Sequence, residues 1–258
     1  MSLLYTKQLT RAYGGVIAVS DVDFSVEKNS ISGLIGPNGA GKTTLFNNVT
    51  GMDIPTSGTV YFNDQDITGI PAFKISRLGI ARTFQNIRLF KEMSVLENVM
   101  IGRHFKSGKS MISGRTVNAF NSYVKMKKEE KDVYDKAREW LVFFGLDESR
   151  NEAAKNLPYG NQRELEIARA LATEPELLFL DEPAAGMNPQ ETAQLMNTIR
   201  RIRDLGITVL LIEHDMKLVM NICEHITVLN YGKKIAEGNP SEIQKNPLVI
   251  EAYLGKED

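Results

Sequence analysis

Short apolar runs alternate with amphipathic stretches along this chain, and the spacing within each predicts its element. Val22 to Val26 alternates apolar and polar residues, the period-two pattern of a half-buried strand. Ser30 to Ile35 is more apolar and runs into Gly36, which predicts a strand, a glycine-rich turn and then a helix from near Lys42. Gly58 to Phe62 predicts a strand ended by Asn63-Asp64, and Ile80 to Phe84 predicts another. This early section reads as a mixed sheet.

The texture changes after about Phe90. Apolar residues three and four apart predict helices over Met93–Ile101 and Lys125–Phe144, with a loop or hairpin over the Gly-, Ser-, Lys- and Asn-rich Lys106–Asn121. A turn at Leu157–Gln162 leads into a helix to about Ala172. Leu177–Leu180 and Thr208–Ile212 are unbroken apolar runs, as in strands buried on both faces, with a helix near Pro189–Leu205 between them. Ile226–Leu229 and Lys234–Glu237 predict short strands around a Tyr231-Gly232 turn. Strands alternating with helices imply right-handed crossovers and a largely parallel α/β sheet. No internal repeat is visible.

Composition narrows the function. The 258 residues suit one large α/β domain or a core with a smaller lobe. A net charge of -1 supplies no basic field for nucleic acid or anionic lipid. The one cysteine, Cys223, excludes an internal disulfide framework and a cysteine-built metal site, and fits a reducing cytoplasm. Met1–Thr10 lacks the basic-then-apolar order of a signal peptide. No stretch approaches the roughly 18–20 apolar residues that cross a bilayer, so membrane work would need a span from another chain.

The chemistry concentrates in Gly36-Pro37-Asn38-Gly39-Ala40-Gly41-Lys42-Thr43-Thr44, a phosphate-loop pattern between a predicted strand and a predicted helix. Its glycines let backbone N–H groups converge on phosphate oxygens, and the helix start adds a favourable dipole. Lys42 can reach the β- and γ-phosphates of a nucleotide, and the Thr43 hydroxyl can ligate Mg²⁺. Asp181 and Glu182 end a buried strand, the edge where open parallel sheets bind ligands. Asp181 is placed to hold the metal and Glu182 to orient or deprotonate an attacking water; alternatively Asp181 caps the next helix. His214 follows the other buried strand and suits either a phosphate contact or a structural role. Gln85 ends the Ile80–Phe84 strand, with an amide able to touch metal or water. Tyr13 could stack on a purine ring or simply occupy a surface turn.

These pieces stand in an order that resembles the nucleotide-binding subunits of ABC transporters over nearly the whole chain. The resemblance implies a P-loop NTPase core with a mixed, largely parallel sheet, an antiparallel β subdomain and an inserted α-helical subdomain. It divides a single domain, 1–258, into core and β subdomain at 1–91 and 163–258, and a helical subdomain at 92–162. It assigns the base-stacking aromatic residue to Tyr13, the glutamine loop to Gln85, the acidic strand end to Asp181 and Glu182, and the switch histidine to His214. It assigns the dimer loop to Ala185–Asn188. The family signature Leu-Ser-Gly-Gly-Gln corresponds to Leu157-Pro158-Tyr159-Gly160-Asn161-Gln162, where Pro158 lacks both the hydroxyl and a backbone N–H. The implied mechanism is a dimer closing over two ATP molecules, each held by one subunit's phosphate loop and the other's signature.

Arg82–Phe90, Leu157–Gln162, Glu213–Met220 and the insert Arg103–Lys136 resemble the subgroup serving high-affinity branched-chain amino acid uptake. That implies membrane-spanning permease subunits, a related second ATPase subunit, an indirect link to a solute-binding protein, and a place on the cytoplasmic face of the membrane. Leu89, Phe90, Met93, Val95 and Leu96 would either line a groove for the permease or belong to the helical core. Lipopolysaccharide or lipid export ATPases share this plan, although Pro158 and Tyr159 depart from their signature. A soluble ABC-type ATPase of the DNA-repair kind would need long coiled coils between phosphate loop and signature, and no sustained heptads occur there. The polar, mixed Asn246–Asp258 shows no regulatory domain.

Overall fold

The structure is a computed structural model that describes residues 2–107 and 119–254, with side chains described outside 104–128. It forms two compact units: Met1–Arg82 with Glu176–Asp258, and Thr83–Pro175.

The first unit holds both sheets. One is antiparallel: β1 (Ser2–Tyr13) pairs with β2 (Val16–Val22), β3 (Ser25–Glu27) and β5 (Ser57–Phe62), and β6 (Gln65–Asp66) pairs with β5. The predicted Val22–Val26 strand is thus two strands. Thr6 explains the break: its hydroxyl donates to Val22 O at 2.8 Å and accepts from Phe24 N at 3.0 Å, in place of ladder bonds. Asn63 and Asp64 both have positive φ, 48° and 59°, which closes the β5–β6 turn.

The second sheet contains β4 (Ile31–Ile35), β7 (Ile80–Arg82), β8 (Leu177–Asp181), β9 (Thr208–Ile212), β10 (His225–Asn230) and β11 (Lys233–Gly238). Its order is β11-β10-β4-β9-β8-β7, parallel except for the β10–β11 hairpin. Every residue of β4, β8 and β9 is buried, as the apolar runs of β8 and β9 predict. Around the sheets lie α1 (Lys42–Val49), α2 (Ala72–Leu78), α6 (Pro189–Asp204), α7 (Met216–Ile222), α8 (Pro240–Lys245) and α9 (Pro247–Leu254). One core joins Leu3, Val60 and Phe62 of the antiparallel sheet to Leu34, Phe179 and Leu210 of the other, with Leu45, Phe46 and Val49 of α1 between. Phe46 meets Phe179 edge-on at 4.7 Å. The C-terminal stretch, polar and mixed in sequence, carries α9 from Pro247, whose fixed φ suits the first helical turn, with Val249 buried.

The second unit is helical: α3 (Val95–Ser107), α4 (Ala119–Phe143) and α5 (Tyr159–Leu171). Residues 108–118, most of the expected Lys106–Asn121 loop, lie outside the described residues; helix reaches into that range from both sides. Val95 and Leu96 are buried, so they serve the core of this unit, whereas Phe90 is 48% exposed. The Ile80–Phe84 strand ends at Arg82, so Gln85 lies in the second unit, beyond the strand it was expected to end.

Candidate functional site

Three neighbouring strands, β4, β9 and β8, end on the same edge of the parallel sheet, and each delivers polar residues there. From β4 the chain turns through Gly36–Gly41 into α1. Gly36 has φ 151° and Gly41 φ 98°, and a Cβ at either would overlap a carbonyl oxygen, Leu229 O or Ala18 O. Gly41 is the N-cap of α1, which has neither a side-chain cap nor an acid in its first turn, so its leading N–H groups remain for a ligand. Lys42 curls back over the loop: its Nζ donates to Gly36 O at 2.7 Å and Pro37 O at 2.9 Å. Burial lowers the Lys42 pKa, and the Glu182 and Asp181 carboxylates oppose that shift. Thr43, Asn38 and Gly39 are exposed.

The β10–β11 turn braces this loop. Tyr231 and Gly232 have positive φ, Gly232 N donates to Ala40 O at 3.0 Å, and Ser20 N donates to Gly232 O at 2.8 Å. The Tyr231-Gly232 pair was legible as a turn; its contact with the phosphate loop was not.

Asp181 closes β8. Its Oδ2 takes Arg82 Nη2 at 2.8 Å, and Arg82 Nη1 also reaches Asn47 Oδ1 at 2.7 Å and Thr50 Oγ1 at 3.1 Å. Asp181 does not cap the next helix. Asn188 caps α6, its side chain accepting from Gln190 N and Glu191 N. Glu182 adopts φ 45°, a conformation that disfavours a side chain with a Cβ, and its N–H donates to Ile212 O at 2.9 Å. His214 is 65% exposed, with Nδ1 3.8 Å from Glu182 Oε2 and 3.9 Å from Glu213 Oε2. The residue that directly follows β9 is Glu213, 1% exposed, which accepts from Ala184 N at 2.8 Å and His214 N at 3.2 Å. Burial raises the Glu213 pKa, while the Ala184, Asp215 and His214 N–H groups oppose that shift. Glu213 thus ties the segment after Glu182 to the segment carrying His214. Its place right behind a buried strand was the signal for it.

Tyr13 ends β1 and is 46% exposed. Its hydroxyl donates to Asp53, and the Arg11 guanidinium lies 4.4 Å from its ring centroid. Arg11 in turn pairs with Asp53 at 2.8 Å. In the second unit, the expected Leu157–Gln162 turn is mostly helix: Pro158 is the N-cap of α5, and Tyr159, Gly160, Asn161 and Gln162 are its first turn. Pro φ suits a helix start, and the Gln162 side chain donates back to Leu157 O at 2.8 Å. The leading amides of α5, like those of α1, lack side-chain caps. Among the described residues, no three His, Cys, Asp or Glu side chains cluster as a metal site.

A phosphate loop on a parallel sheet, flanked by acidic strand ends, is the fold of a P-loop nucleotide-binding protein. The chain belongs to the ABC transporter family, whose profile matches residues 19–185. A second profile, described as branched-chain amino acid ATP-binding cassette transporter, matches residues 233–258. The chain is 46% identical over 255 residues to the high-affinity branched-chain amino acid transport ATP-binding protein LivG of Escherichia coli strain K12, covering 98% of each. It is 39% identical over 264 residues to a probable branched-chain amino acid transport ATP-binding protein LivG of Archaeoglobus fulgidus, covering 100% of this chain and 97% of that one. A crystal structure of the ADP conformation of an ABC transporter's ATP-binding cassette superposes with a TM-score of 0.84 at 36% identity, covering 99% of this chain and 100% of that one.

Proposed function

We propose that this chain is the ATP-binding and ATP-hydrolysing motor subunit of an ABC importer for leucine, isoleucine and valine. The observation that carries this reading is the convergence of Gly36–Thr44, Asp181-Glu182 and Glu213-His214 at the ends of three adjacent strands. The names of its full-length relatives support the amino-acid cargo.

In this reading residues 1–258 form one nucleotide-binding domain. Gly36, Pro37, Asn38, Gly39, Ala40, Gly41, Lys42, Thr43 and Thr44 cradle the ATP phosphates, and Tyr13 stacks on the adenine ring. The residues fit magnesium: it usually keeps few protein ligands beside the substrate phosphates, so the hydroxyl of Thr43 and the carboxylate of Asp181 would suffice, and the family resemblance adds the Gln85 amide as a further candidate ligand. When bound, the ion would screen phosphate charge. Lys42 leaves its Gly36 and Pro37 carbonyls for phosphate oxygens. Glu182 orients and deprotonates the attacking water, and His214, beside Glu182, steadies it. Tyr159, Gly160, Asn161 and Gln162 offer the uncapped start of α5 to the γ-phosphate held by the opposite subunit. Pro158 subtracts one donor from that half-site.

No helix among the described residues is long and apolar enough to cross a membrane. The working complex in this reading therefore pairs this chain with a second ATPase subunit and docks both, peripherally and on the cytoplasmic face, on permease subunits; a solute-binding protein engages indirectly. The test is uptake of labelled leucine in cells whose own copy is deleted. The wild-type chain should restore uptake and Glu182→Gln should not, at equal protein level. Restoration by both overturns the motor role, and restoration by neither overturns the cargo.

A further inference from the structure

From Thr83 to Met93 the chain forms neither helix nor strand, so its buried backbone groups need other partners. Side chains of the second unit supply them. Arg163 Nη1 donates to Phe84 O at 2.7 Å and Nη2 donates to Gln85 O at 2.7 Å. Glu166 Oε1 accepts from Arg88 N at 3.0 Å. Asn98 Oδ1 accepts from Phe90 N at 3.0 Å while its Nδ2 donates to Phe90 O at 3.1 Å. Arg163 and Glu166 pair with each other at 2.9 Å and are 0% and 2% exposed.

A buried ion pair is a poor way to gain stability, because well-packed apolar residues serve as well. What an apolar pair lacks is direction. A guanidinium is a rigid planar fork, and here it grips two successive carbonyls, which fixes the peptide planes on both sides of the Gln85 Cα. Arg163 is also part of α5, directly after Tyr159–Gln162. Burial raises the Glu166 pKa, and the Arg88 N–H, Arg163 and Arg169 oppose that shift.

We propose that Arg163 is a positioning residue for Gln85, locking the Gln85 backbone to the start of α5 so that Gln85 and the Tyr159–Gln162 segment move as one piece. This rests on the ATPase reading of Gln85 given above. It places no contact between Arg163 and nucleotide.

The test compares wild type, Arg163→Lys and the double variant Arg163→Met/Glu166→Leu. The double variant removes both charges together and so preserves the fold better than either single loss. Hydrogen exchange read by mass spectrometry should rise in both variants at residues 84–88 and stay unchanged at Gly36–Thr44. Their kcat should fall roughly ten- to a hundredfold, the scale of a displaced positioning group, with KM for ATP within about twofold. In a Gln85→Ala background, Arg163→Lys should lower kcat no further, since both changes act through one group. Unchanged exchange at 84–88 overturns the lock itself. A further, additive loss of kcat in the Gln85→Ala background overturns the route through Gln85. Full kcat in Gln85→Ala alone overturns the proposal through its premise, and is told apart because exchange at 84–88 still responds to Arg163→Lys.

Discussion

Glu182 has φ 45°, held by its N–H to Ile212 O and by Ala185 N donating to its carbonyl at 3.2 Å. A non-glycine residue in that region costs about 1–3 kcal/mol and persists only where its surroundings enforce it. Replacing Glu182 by Gln keeps the shape, the strain and the hydrogen-bond reach, and removes only the proton acceptor. ATP binding should therefore survive while kcat falls about 10²- to 10⁴-fold, measured by nucleotide titration and phosphate release. Loss of affinity in step with kcat would move Glu182 from base to binding group. Cys223 makes the opposite case, a chemically versatile residue with nothing to do. It is 5% exposed, and its Sγ would meet a Cβ added at Gly33 at 3.0 Å, so it fills the seam between α7 and β4. Burial, then Glu224 and Glu213, push its thiol well up, so native protein at neutral pH should resist alkylation and become reactive only on unfolding. Mass spectrometry after iodoacetamide treatment, with and without denaturant, reads this directly. At this scale the phosphate loop was legible because its spacing is its function. Arg163 was not, because its partners are backbone carbonyls about eighty positions away, and no side-chain pattern announces a carbonyl.

Elements buried on both faces were among the most legible. Thr208–Ile212 matches β9 residue for residue, and Leu177–Leu180 falls one short of β8, because Asp181, although polar, still takes the last ladder position against Ile212. The first two strands were missed for a physical reason. β1 breaks its own alternation at Gln8, whose φ is 47°, and its pairing with both β2 and β5 shifts register nearby. A period-two reading needs an uninterrupted ladder. The start of α5 was read as a turn because Pro158 and Gly160 are turn formers, yet proline is equally at home at a helix entrance. Caps are the clearest element-scale lever. Asn188 begins α6 with a reciprocal box, Glu191 Oε2 accepting from Asn188 N at 2.8 Å. Asn188→Ala should cost about 1 kcal/mol, a fall in Tm of roughly 2–4 °C for a protein of this size, read by differential scanning calorimetry. Because Asn188 also ends the expected dimer loop Ala185–Asn188, a much larger loss of ATPase than of stability would show that the loop's conformation, rather than α6, depends on it.

At the scale of the whole molecule, the first unit is assembled from two stretches of chain, Met1–Arg82 and Glu176–Asp258, with the helical unit inserted between them. The sequence carries the insertion as a change of texture after Phe90, a little beyond the point where contacts divide, since the coil from Thr83 onward has no periodicity to mark it. The phosphate loop belongs to the first stretch, whereas Asp181, Glu182, Glu213 and His214 belong to the second. A ligand contacting both stretches stabilises their association, and its binding energy adds to the stability of the folded state. At a nucleotide concentration about a hundred times Kd the added stability is about 2.7 kcal/mol. At roughly 2–4 °C per kcal/mol, that is a rise in Tm of about 5–11 °C. Lys42→Ala should abolish most of the rise, because in the proposed reading it removes the cation that faces the phosphates. The variant also takes the Lys42 donor away from Gly36 O and Pro37 O, so the rise is read against each protein's own Tm without nucleotide. A thermal-shift titration with ATP in EDTA, which binds without turnover, measures both numbers on the intact chain. A full shift in Lys42→Ala would mean that nucleotide is held elsewhere, and the convergence of strands β4, β9 and β8 would then be architecture without a ligand.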